Sequence, residues 1–155
     1  MINIKIVGDR EIIFDLERIN RQAPGAMRQI IGRSALQVKR EAMLNLSGRM
    51  LKVRTTLLRS SIKIIFGGQK NSPYAIVGTN IVYAAVHEFG ATIPPRTIFP
   101  RYKKALYWPG ADHPIARVNM PQIRIPARPF MKAAFDASLP VIEKIAKEEI
   151  ERLIR

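Results

Sequence analysis

Seven of the chain's eleven prolines fall at positions 94, 95, 100, 109, 114, 121 and 126. Proline has no backbone N–H and its ring collides with the preceding helical turn, so a stretch punctuated this often cannot be helix. Each proline also removes a rung from any β-ladder, which rules out a long central strand. Residues 91–126 therefore read as an extended hairpin arm. Pieces around Lys104–Trp108 and Ile115–Val118 can pair across a Pro109-Gly110-Ala111-Asp112 turn. The arm carries Ile93, Ile98, Phe99, Leu106, Tyr107, Trp108 and Ile115, more large apolar surface than a free loop exposes. Phe99, Tyr107 and Trp108 are accordingly candidates for contact with other subunits.

On either side of the arm the apolar spacing becomes helical. Met27, Ile31, Ala35, Val38, Ala42 and Leu46 recur every three or four residues, predicting a helix over 24–46 that opens at Pro24-Gly25 and ends at Gly48. Leu36 and Met43, seven residues apart, lie away from that stripe. They are either the edge of a wide core face or a partner surface. Ile142, Ile145, Ala146, Ile150, Leu153 and Ile154 predict a second helix over 139–154, with Pro140 in its first turn and Ser138 near its cap. Phe130–Asp136 would then be a separate turn of helix, and Glu148–Arg152 an exposed i,i+4 pair.

Strands are expected near 2–7, 61–66 and 74–78, with Gly67-Gly68 through Pro73 as the turn between the last two. Thr55 is placed to cap a short helix through Leu58-Arg59, and Tyr83–Phe89 is a short apolar helix closed by Gly90. Glu11–Asn20 fits a short strand, a helical turn or both. The expected fold class is α+β in one domain, 1–155: an antiparallel or mixed sheet, two long helices packed on it, and the Pro-rich extended hairpin arm.

Charge narrows the choice of partners. The formal net charge is +14, and it is unevenly placed. Residues 42–128 hold 13 basic and 2 acidic side chains, and no acid interrupts 42–87. Such a field either faces a polyanion or an acidic protein ring, or is a solvated basic surface. Arg49, Lys52, Arg54, Arg59 and Lys63 are the candidate DNA-facing residues. The amino terminus lacks a signal-peptide pattern, and the most apolar run, Tyr74–Val86, is far short of the roughly 20 residues a membrane span needs.

Catalytic chemistry finds little support. The chain has no cysteine, which removes thiolate ligands and nucleophiles. His87-Glu88 begins like a zinc-protease helix, but the second histidine's place, four residues on, holds Ala91. Asp112-His113 sits in the arm's turn. No serine has a nucleophile-elbow context, and no glycine pattern has phosphate-loop spacing. No catalytic residue, metal ligand or cofactor is expected.

Three stretches, in order, resemble a phage family. Thr56-Leu57-Leu58-Arg59-Ser60-Ser61-Ile62 is similar to its Thr-Gly-x-Leu-Arg-x-Ser-Ile entry to a strand, with Thr56 and Leu57 standing where the family's glycine is usual. Tyr83-Ala84-Ala85-Val86-His87-Glu88-Phe89-Gly90 is similar to its Tyr-Ala-x-x-x-Glu-Phe/Tyr-Gly segment. Ile125-Pro126-Ala127-Arg128-Pro129-Phe130-Met131-Lys132-Ala133-Ala134 is similar to its junction before the final helix. The family is that of phage tail-completion or minor tail (head–tail joining) proteins, with the Mu-type virion morphogenesis proteins as close cousins. The resemblance implies a homo-oligomeric ring, typically sixfold, at the head-proximal end of the tail. It implies tail tube and connector proteins as partners, phage DNA passing through without sequence preference, and a place in the virion after assembly in the host cytoplasm. The alternative expectation is a sequence-independent nucleic-acid-binding domain, although no helix-turn-helix, zinc finger or ribonucleoprotein-type strand is legible.

Overall fold

The computed structural model describes residues 9–51, 56–101, 104–107 and 113–155. The strand expected over 2–7 lies outside these residues, as do Lys52, Arg54, Thr55, Trp108 and Asp112. The chain divides into two compact units, one formed by residues up to Ile81 with Phe130–Arg155, the other by Val82–Pro129.

The first unit is organised by one helix, α1, spanning Asp9–Leu44. The expectation of a helix opening at Pro24 is corrected: Pro24 lies inside α1, and the ambiguous stretch 11–20 is helical. Proline deprives only the carbonyl four residues earlier of its donor. That residue, Asn20, is exposed, so water can satisfy it. A single wide turn, Asn45–Arg49, follows α1. Gly48 adopts φ +116°, where a side chain is strained, and the N–H groups of Met50 and Leu51 return to the Asn45 carbonyl at 3.0 and 3.2 Å. Gly48 therefore ends the helical run where the spacing placed its end.

The second long helix, α4, spans Phe130–Ile154, so the expected start at 139 and the separate turn before it are corrected. Pro140 lies inside, and both it and Asp136, whose carbonyl it frees, are exposed. Ser138 is buried mid-helix instead of capping, its hydroxyl donating to the Ala134 carbonyl at 2.7 Å. Ala35, Val38 and Ala42 of α1 and Leu46 of the following turn are buried, as their spacing implied, whereas Met27, expected on the same face, is exposed. On α4 the buried residues are Phe130, Ala134, Ser138, Ile145 and Glu149, while Ile150 and Ile154 stay exposed.

The two helices run antiparallel along each other. At one end the Asn45 side-chain amide donates to the Phe130 carbonyl at 2.9 Å. At the other, Arg33 donates to Glu149 at 2.9 Å and to Glu148 at 3.2 Å. Glu148 thus turns to α1 and not to Arg152. The pair with exposed Glu148 is worth at most about 1 kcal/mol. Buried Glu149 depends more on Arg33, since an unpaired buried carboxylate is costly.

A short helix α2, Leu57–Ser60, leads to β1, Lys63–Gln69, which pairs antiparallel with β2, Ser72–Gly78. Gly67 and Gly68 belong to the strand, and the turn is Lys70-Asn71, correcting the longer turn expected there. Phe66 opposes Ala75 on one face, and Ile65 opposes Ile76 on the other. The hairpin packs on α1. Because α4 also packs chiefly on α1, that helix is the common support, where both long helices had been expected on the sheet. Among the described residues no helix is long and apolar enough to cross a membrane.

The second unit begins with α3, Val82–Phe89, close to the expected 83–89, and Gly90. Four three-residue strands follow: β3 (Ala91–Ile93), β4 (Arg96–Ile98), β5 (Val118–Met120) and β6 (Ile123–Ile125). Strand β3 pairs with β6 and β4 with β5, both antiparallel, and Leu106 and Ile115 exchange backbone hydrogen bonds of 2.8 and 3.0 Å. Pro94-Pro95 lies opposite Pro121-Gln122 between the two ladders, so missing N–H groups on both strands keep each ladder to three residues. These ladders are separate from the β1–β2 sheet. The class is α+β, with long helix and small antiparallel sheets.

Candidate functional site

Any acid–base chemistry would start at the acid–histidine pairs. His87 meets the Tyr83 ring edge to face, with centroids 6.1 Å apart, and its backbone carbonyl accepts from the Arg128 N–H at 2.7 Å. Both contacts are structural. Among the described residues no three His, Cys, Asp or Glu side chains gather where a metal ion would sit.

Surface is where the molecule departs from an ordinary small protein. Leu36 is 60% exposed on α1. It lines a shallow groove of about 300 Å³ with Lys39, Arg40, Met43 and Leu44, and Arg59 of α2 closes one side. The structure so brings together Leu36 and Met43, predicted as subunit contacts, and Arg59, predicted as DNA-facing. Of the remaining basic candidates, Arg49 is tied to Glu41 at 3.0 Å and Lys63 is exposed at the start of β1. Phe99 and Tyr107 belong to the second unit, where both are exposed.

Sequence reasoning missed three further features of the first unit. Ile12, Ile13, Phe14 and Leu16 are each more than half exposed at the start of α1. Ile65, Ile76 and Tyr74 leave the outer face of the hairpin apolar and open. Ile30, Ile31, Val77, Met131 and Phe135 help to line a mostly apolar groove of about 690 Å³ among α1, β2 and α4. The Ile12-Leu16-Ile19-Ala23 spacing was the available signal for the first.

The three family-like stretches occupy structural positions. Leu58 and Ile62 are buried, and the Ser61 and Thr79 hydroxyls lie 2.6 Å apart. Gly90 adopts φ +75°, and a side-chain carbon there would lie 2.9 Å from the Ile125 carbonyl oxygen and the Ala127 nitrogen. The second stretch is therefore locked against the third. Phe130 opens α4 with 1% of its surface exposed and so anchors the start of that helix in the core. The model of the phage virion morphogenesis family matches residues 18–151. The chain belongs to that family. No curated protein and no solved structure matches it. Membership in the phage virion morphogenesis family makes this a structural or assembly component of a phage virion.

Proposed function

We propose that this member of the virion morphogenesis family associates with copies of itself into a ring at the head-proximal end of the phage tail, where it completes the tail and joins it to the head. The observation carrying this reading is the amount of large apolar surface left open on separate elements, with Leu16, Leu36, Ile65, Ile76, Phe99 and Tyr107 each more than half exposed. Monomeric proteins rarely leave such surfaces uncovered, whereas subunits of an assembly bury them against each other. The 13 basic and 2 acidic residues of 42–128 suit a ring through which DNA passes, by attraction to phosphate without base recognition.

The Pro-interrupted arm supplies a direct test. Arg101 and Lys104 are exposed within it. Trypsin should cut at these sites early in the isolated subunit, and association should slow cutting there by about tenfold or more as the arm becomes buried. Equal cutting in both forms would remove the arm from the assembly interface.

The acid-free run 42–87 favours a second reading, a nucleic-acid-binding domain acting alone. That reading requires DNA binding by a stable monomer. Ring formation without DNA separates the two.

A further inference from the structure

The two ends of α1 are chemically complementary, and the helix itself holds them apart. Near its start Ile12, Ile13 and Leu16 are 61, 54 and 59% exposed. Helical geometry gathers them with Ile19 into one stripe, bordered by Glu17 on one side and, on the other, by exposed Asp15, whose carboxylate also meets Arg18 at 3.5 Å. Helix α4 gives this stripe no cover: it ends at Ile154, about one turn past Glu149, whose partner on α1 is Arg33. Such a projecting stretch depends on packing for its stability, because isolated helix is marginal in water.

Towards the other end, Leu36 and Met43 floor the groove that Lys39, Arg40 and Arg59 surround. Among the described residues none of these three bases forms an ion pair. An apolar stripe rimmed by acids and an apolar groove rimmed by bases match in both terms that build an interface: a desolvated centre and a complementary polar rim. DNA fits the groove less well, since phosphates gain nothing from the exposed Leu36 floor.

Residues 14 and 40 are separated by continuous helix, about 40 Å at 1.5 Å per residue. The stripe therefore cannot reach the groove of its own chain. We infer that the Ile12–Leu16 stripe of one copy docks in the Leu36–Met43 groove of a second copy. This rests on the ring reading and specifies its contact. Two different patches meeting head to tail make a heterologous interface, which closes into a ring when the rotation per subunit allows.

Two variants of the full chain test it, one with the stripe reversed (Asp15→Lys with Glu17→Lys) and one with the groove reversed (Arg40→Glu with Arg59→Glu). Mass photometry reads assembly, and thermal melts check that each folds. If one does not, Glu17→Gln and Arg59→Gln, each alone, should weaken assembly in the same direction by a smaller shift. Each variant alone should need about a hundredfold more protein to assemble, because like charges then face each other. Mixed one to one, the two variants should co-assemble in alternation, because the intact stripe of the groove variant fits the intact groove of the stripe variant and the reversed stripe fits the reversed groove. All four substitutions in one chain should restore assembly.

Variants that assemble as the wild type does would overturn the docking site and leave the ring standing. A wild-type chain that stays monomeric would overturn both. A groove variant that assembles normally but loses salt-sensitive DNA binding would assign the groove to phosphate, and would equally overturn the inference.

Discussion

Replacing Phe130 by alanine is expected to lower the free energy of unfolding by about 3–5 kcal/mol, the range for emptying a buried aromatic site. Phe130 is 1% exposed and, among the described residues, has the largest fully buried side chain. It begins α4, and its carbonyl accepts the buried Asn45 amide, so its position ties the start of one long helix to the end of the other. A cavity there cannot collapse freely, because backbone on both sides is held by that hydrogen bond. Domains of this size are stable by about 5–15 kcal/mol, so the variant should unfold at markedly lower urea concentration. Phe130→Leu, which keeps most of the volume, should cost much less. A loss under about 1 kcal/mol for Phe130→Ala would show that the ring is not the anchor of the α1–α4 pair.

Gly90→Ala is expected to destabilise the second unit by about 2–4 kcal/mol, combining the cost of a side chain in the left-handed region with a backbone collision. The new carbon would sit 2.9 Å from both the Ile125 oxygen and the Ala127 nitrogen, and neither is the movable end of a side chain. Relief requires shifting residues 125–127, which puts strain on the β3–β6 ladder and the hydrogen bond from Arg128 to His87. Hydrogen exchange should therefore speed up at β3, β6 and Arg128. Unchanged exchange there would mean that Gly90 is not what locks the two stretches together.

The helical stripe Ala35–Leu46, the end at Gly48, the hairpin and the short helix before Gly90 were legible because each is written in local spacing or in turn chemistry. Pro24 and Pro140 misled, and for one reason. A single proline inside a helix costs one hydrogen bond and a local bend, which the helix tolerates where the stranded carbonyl can reach water, and Asn20 and Asp136 are both exposed. Whether a residue faces water is a property of the fold, which spacing alone does not reveal. The same limit explains the surface. Leu36 and Met43 stood out as an off-stripe pair, but Arg59, sixteen residues beyond Met43, joined them only when α2 folded back beside α1. The Ile12–Leu16 stripe was hidden because it was expected to precede the helix and not to extend it. Arg49 looked as free as Arg59 in the sequence, yet Glu41 neutralises it two turns away.

As proposed, this virion morphogenesis protein works as a ring at one end of the tail. Electron microscopy of the purified, gold-tagged chain, alone and mixed with tail tubes that lack it, tests this most directly. Closed rings of one size, and label at only the head-proximal end of each tube, are expected. A chain that stays monomeric in both samples, or label spread along the tube wall, would contradict it.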